Sequence, residues 1–190
     1  MLTVACTGAL AFGATAVLAD DNGGDDDNVA CTTTTTGTTT NDTGDDNGGD
    51  SRMVRQDGGS DDQFDGTEGD DHHSGNAGDD DMQGNQGDDE LCGEQGDDNV
   101  QGGSGNDNIS GGPGNDVING QAGNDDEFGD GGNDRLTGGK GHDDLVGGGG
   151  NDRINSRDGV KDKVNCGPGV DTVRADRADT VAKNCEHVSR

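Results

Sequence analysis

Residues 102–119 read GGSGNDNIS-GGPGNDVIN, two nine-residue units that share Gly at positions 1, 2 and 4, Asn at 5, Asp at 6 and Ile at 8. Followed outward in both directions, this register holds without an insertion from Asp57 to Asn155, which makes eleven consecutive units over 99 of the 190 residues. Asp stands at position 6 of all eleven: Asp62, Asp71, Asp80, Asp89, Asp98, Asp107, Asp116, Asp125, Asp134, Asp143 and Asp152. Gly holds position 1 in ten units and position 4 in ten, while position 5 is Asp, Asn or, at His142, His. Position 8 is apolar in nine, namely Phe64, Met82, Leu91, Val100, Ile109, Ile118, Leu136, Leu145 and Ile154; His73 and Glu127 are the exceptions. A flexible linker scatters its glycines, whereas a fixed phase requires a fixed conformation at each position.

Side chains alternate across a strand, so in the last three residues of each unit position 8 faces inward and positions 7 and 9 face water. The interior is then a thin apolar column. Outside it the chain is a polyanion, with 41 acidic and 12 basic side chains, a net charge of -29 and 24% hydrophobic residues. Such a surface repels nucleic acid and anionic lipid, and its natural partners are cations. If coils stack about 4.8 Å apart, the position-6 carboxylates approach one another and each like-charge pair opposes folding. A hard divalent ion between coils reverses that sign, because Ca²⁺ takes six to eight oxygen ligands from carboxylates and carbonyls.

The pattern resembles the RTX, or haemolysin-type, calcium-binding nonapeptide G-G-x-G-x-D-x-U-x. The resemblance implies an all-β fold, a right-handed parallel β-roll in which a six-residue Gly-Asp turn ligates calcium, three residues form a strand and two units make one coil. It also implies that the position-6 aspartates are the calcium ligands and that about nine ions sit between successive turns.

The flanks read differently. Residues 1–19 contain the only sustained apolar run, closing on Val17-Leu18-Ala19 before Asp20, and read as a secretory signal peptide that would remove Cys6. Residues 20–56 read as a linker with two decayed repeats, which include Asp42 and Met53. After 57–155, the segment 156–190 shifts phase by one and gains Lys and Arg, yet keeps Asp-x-Val at Asp162, Asp171 and Asp179; it reads as a cap. Cys166 and Cys185 are one coil apart in sequence and are expected to form a disulfide, while Cys31 and Cys92 stay open between a pair and free thiols. The tail resembles those of secreted actinobacterial repeat proteins. Cysteines in even number suit an oxidising compartment.

No His-Glu-x-x-His or Gly-x-Ser-x-Gly motif is present, and carboxylates that recur alike in every unit suit ligation better than a unique active site. His72 and His73 point to opposite strand faces, which argues against a shared metal. The expectation is a secreted, non-enzymatic, calcium-binding roll that folds on the ion, binds no nucleic acid and inserts into no membrane. The alternatives are an extracellular adhesin or matrix module facing a protein or carbohydrate, and a detached repeat domain of a secreted enzyme.

Overall fold

The computed structural model describes residues 52–53, 59 and 61–190; the signal-like segment, most of 20–56, Cys6 and Cys31 lie outside them. In chain order the strands are β1 (Arg52–Met53), β2 (Gln63–Asp65), β3 (His72–Ser74), β4 (Asp81–Gln86), β5 (Glu90–Cys92) and β6 (Asn99–Ser104). Then follow β7 (Asn108–Pro113), β8 (Val117–Ala122), β9 (Asp126–Gly131), β10 (Arg135–Lys140) and β11 (Asp144–Val146). The last are β12 (Arg153–Asn155), β13 (Lys163–Asn165), β14 (Thr172–Arg174), β15 (Thr180–Val181) and β16 (His187–Ser189).

Even-numbered strands and β1 form one sheet and odd-numbered strands from β3 form the other, so successive strands alternate between sheets. From β2 onward the pairing is parallel, and as far as β12 its spacing is 18 residues, as in Val100↔Ile118 and Leu91↔Ile109. Two nonapeptides therefore make one coil. The expected column is buried throughout, and Val164, Cys166, Val173 and Ala175 extend it beyond the repeats. Each fully buried aliphatic side chain contributes roughly 1.5–3 kcal/mol. The two polar exceptions also point inward: Glu127 is fully buried and His73 stacks on Phe64 with ring centroids 4.1 Å apart. His72 faces water and bonds Glu90 at 2.6 Å.

Three details add to the repeat pattern. Strands β4 and β6 to β10 have six residues rather than three, because positions 1 to 3 of the next unit go on pairing with the coil above, as in Asn85↔Gly103↔Gln121↔Gly139. The corner proper is then only three residues, 105–107 between β6 and β7 for example. Strand β1 runs antiparallel to β2, so the segment around Met53 adds no parallel rung. Beyond Asn155 the strands continue on the Asp-x-Val pattern: β13 and β14 pair 19 residues on from their partners, the one-residue shift absorbed in the turn, and β15 and β16 follow. The Cys166–Cys185 disulfide ties these last coils together, with Cα atoms 5.3 Å apart.

Position 2 of the unit adopts the left-handed conformation. Glycines occupy it at Gly103, Gly112, Gly139 and Gly148, but side-chain-bearing residues hold it at Asn76, Asn85, Glu94, Gln121 and Asp130, with φ from 66° to 80°. A residue with a β-carbon loses roughly 1–2 kcal/mol there, Asn and Asp least. Replacing Glu94 (φ 76°) by Gly should therefore raise the stability of the folded roll by about 1 kcal/mol, read as a higher melting temperature in saturating calcium. An unchanged or lower value would mean that position 2 carries no strain.

Candidate metal centre: two rows of turn carboxylates

Each position-6 Asp closes a corner immediately before a strand, which places Asp62, Asp80, Asp98, Asp116, Asp134 and Asp152 along one edge of the roll. Asp71, Asp89, Asp107, Asp125 and Asp143 run along the other. All eleven are buried. Their bonding explains the invariance: the Oδ1 of one Asp accepts the backbone N–H of the position-6 Asp one coil earlier. Thus Asp80 N–H donates to Asp98 at 2.8 Å, Asp98 to Asp116 at 2.8 Å, Asp89 to Asp107 at 3.0 Å and Asp107 to Asp125 at 3.0 Å. Position 5 makes a second ladder of opposite sense, its Oδ1 accepting the N–H one coil later, as when Asn133 N–H donates to Asn115 and Asn151 N–H to Asn133, both at 3.0 Å. Asp or Asn serves equally there, since only a carbonyl-type oxygen is needed. The restricted alphabet at position 5 was the visible sign of this ladder, although the sequence did not disclose its direction.

The second carboxylate oxygen is the chemically significant one. In Asp80, Asp89, Asp98, Asp107, Asp116, Asp125, Asp134, Asp143 and Asp152, Oδ2 is buried with no hydrogen-bond donor. A buried charged oxygen without a partner costs several kcal/mol, about 1–3 or more per group. Position-1 glycines explain themselves in the same place. Their φ is not positive; instead, a β-carbon would collide with the Oδ2 of the same unit and with the position-1 carbonyl oxygen one coil on, as at Gly84 with Asp89 and Gly102. At Gly147 such an atom would lie 2.5 Å from Asp152 Oδ2 and 2.7 Å from the carbonyl oxygen of Cys166. Carboxylate and carbonyl oxygens thus converge at Gly66, Gly75, Gly84, Gly93, Gly129 and Gly147, the hard-oxygen donor type that calcium takes. Among the described residues no group of three or more His, Cys, Asp or Glu side chains gathers as a metal cluster, so a full ligand set here has to draw on backbone carbonyls.

Burial pushes these carboxyls up, to about 7 at Asp89, Asp116, Asp125 and Asp134 and about 6 at Asp98 and Asp107, with backbone hydrogen bonds opposing and neighbouring carboxylates adding. Burial likewise raises Asp80, Asp143 and Asp152.

The rows have defined ends. Asp71, which the repeat pattern placed among the ligands, has its Oδ2 bonded by Thr67 N–H at 2.6 Å. At the far end Asp179 Oδ2 accepts Ser156 Oγ–H at 2.9 Å and Asp176 N–H at 2.5 Å, and Glu186 Oε2 takes the N–H of Asp171 at 2.9 Å. Between these lie two residues outside the nonapeptide run, Asp162 and Asp171. They accept the N–H groups of Asp143 and Asp152 like any position-6 Asp, and their Oδ2 atoms are buried and unpartnered. Ser156 and Cys166 stand where position-1 Gly would be in those units. The Asp-x-Val signature was the signal for them. Cys92 is disulfide-bonded, and its partner lies outside the described residues.

Two parallel sheets wound from eighteen-residue coils, with a row of carboxylates at each edge, define a β-roll of nonapeptide repeats. The RTX calcium-binding nonapeptide repeat model matches four times, over 56–91, 65–100, 92–126 and 128–160, more than half of the chain, and the chain belongs to that family. Calcium is the ion this repeat family binds. No curated protein matches the chain.

Two outcomes follow. In Gly84→Ala, the added methyl group meets Asp89 Oδ2 and the Gly102 carbonyl, and should destabilise the calcium-loaded roll by about 1–3 kcal/mol. Gly131→Ala, where a β-carbon meets nothing within 4 Å, should be near neutral in the same melting experiment; equal losses would refute the steric account.

Without calcium, a carboxyl whose folded value is raised stabilises the fold below its unfolded value near 4, and that contribution is lost as pH rises through about 6–7. Buried His73, lowered to about 4 by desolvation, acts oppositely but alone. In chelator, the β-type circular dichroism should thus be stronger at pH 5 than at pH 8. A reversed or absent difference would contradict the burial of the rows.

Proposed function

We propose that this is a secreted, non-catalytic calcium-binding roll that folds when calcium fills the two carboxylate rows. The observation that carries this reading is the run of buried, unpartnered Oδ2 atoms from Asp80 to Asp152, several of them beside a backbone carbonyl of the next coil, as at Gly84 and Gly147. The ligands on this reading are the eleven position-6 aspartates, Asp62 and Asp71 included, and the spacing of turns gives about nine ions. Thr67 already donates to Asp71, which makes that corner the weakest of the set. Each site at ion concentrations about 100-fold above its dissociation constant adds roughly 2.7 kcal/mol to folding. Low cytoplasmic calcium would keep the chain unfolded until export. Export is supported by the signal-like residues 1–19 and by the Cys166–Cys185 disulfide. The absence of a catalytic role is supported by the sameness of the position-6 carboxylates, which recur alike in every unit.

A second reading, an extracellular adhesin or matrix module that presents one face to a protein or carbohydrate, is favoured by one feature. Arg135 and Arg153 are exposed and paired in register on the outer face of one sheet, with Arg174 one strand further, and the ion pairs of the described residues are His72–Glu90 and Lys163–Asp144 alone.

Far-UV circular dichroism of the chain, followed from chelator to millimolar calcium at pH 8, tests the first reading. A cooperative gain of β signal that magnesium does not reproduce is expected. A spectrum indifferent to calcium would overturn it.

A further inference from the structure

Glu127 breaks the rule of the interior. It occupies inward position 8 of β9, between Ile109 and Leu145 in register, and is completely buried. Phe128, the residue that hydrophobicity alone would send inside, sits half-buried on the outer face. The family match breaks at the same point, resuming at residue 128 after ending at 126. A one-residue slip would exchange Glu127 and Phe128 but would also break the pairing of both neighbouring strands, so register holds the carboxyl inside.

Its carboxylate does not stay in the aliphatic column. Oε1 reaches the corner of its own unit and accepts Gly120 N–H at 2.8 Å. A β-carbon on Gly120 would have Asp125 Oδ2 and Glu127 Oε1 both within 2.7 Å, whereas at Gly84 and Gly93 the corresponding neighbours are one carboxylate and one carbonyl. Both Asp125 Oδ2 and Glu127 Oε2 are buried without a donor. Two carboxylates thus converge on a single corner.

We propose that Glu127 is an additional calcium ligand, reaching from inside the roll to the ion at the Asp125 corner and making that corner the tightest site of its row. The inference rests on the calcium reading above. An extra charged ligand strengthens a calcium site, and one held in a packed interior is already positioned. The corner then acts as the place where loading starts, with neighbouring coils filling afterwards.

Isothermal titration of the full chain with calcium, alongside ion counting after equilibrium dialysis, tests this. The wild-type chain is expected to show one site about tenfold tighter than the rest. Glu127→Gln and Glu127→Leu should both lose that tight class while the weaker sites persist, Leu keeping the column filled so that folding survives. Variants with the wild-type isotherm, or a Leu variant that is simply more stable with its tight site intact, would show Glu127 to be only a buried neutral acid and overturn the proposal. A wild-type chain that binds no calcium at all would overturn the calcium reading itself, and this proposal with it.

Discussion

The constraint on which the structure turns is a carboxylate with divided loyalties. One oxygen of each position-6 Asp from Asp80 to Asp152 is spent on the backbone N–H of the preceding coil, and the other is buried where no donor reaches it. The first bond needs the side chain folded inward; the second oxygen is the penalty of that placement. An uncharged carboxamide could satisfy the ladder but would put an N–H₂ donor where a cation needs an oxygen ligand. A cation makes both halves of the arrangement favourable at once, and this is why a chain with so thin an apolar column can support stacked negative charge. In this sense the metal and the strands are parts of one cooperative unit, since each corner is shared between adjacent coils and none is complete alone.

The nine-residue phase made the fold and the column legible. Position 8 predicted every inward aliphatic residue because strand alternation leaves no choice once the strand is placed. The roles of the glycines were only half legible. Positive φ accounts for position 4, as at Gly87 and Gly96, but position 1 is glycine because Asp oxygens occupy the space where a β-carbon would stand. That reason is a contact between residues five apart within a turn and eighteen apart between coils, and no single unit displays it. The longer strands were hidden for the same cause: positions 1 to 3 pair only because the coil above presents its own backbone there.

Position 5 shows how a permissive alphabet still encodes a rule. Asp gives way to Asn from Asn106 onward, and the ladder runs through the change undisturbed, since Asn106 N–H still reaches Asp88 Oδ1. At His142 the side-chain ladder stops on that edge, and its Nδ1 instead contacts the carbonyl of Lys161 at 2.9 Å, across the coil that contains the one-residue insertion. The change from carboxylate to carboxamide also removes negative charge from one ladder while leaving the other fully acidic. From Asn106 onward charge is retained only in the row whose second oxygen lacks a donor, which separates hydrogen-bonding residues from the candidate ligands more clearly than their spacing could.

The ends of the rows make the same point from the opposite direction. Where the stack must stop, the protein supplies its own donors to the oxygens that elsewhere have none: Thr67 to Asp71, and Ser156 with Asp176 to Asp179. Glu186 takes over the acceptor role for Asp171, and the Cys166–Cys185 bond holds the shortened final coils. A terminal corner has a neighbour on one side only and cannot share an ion between two turns, so a hydroxyl or an amide is the economical solution there. Asp162 and Asp171 fall between these regimes, with the ladder geometry of the repeats but a β-carbon at the position-1 residue of each unit. The transition from cation-seeking corners to self-satisfied ones is therefore written in two positions of the unit, glycine against a side chain at position 1 and an absent against a present donor at Oδ2, and reading both together locates where a roll of this kind ceases to need its ion.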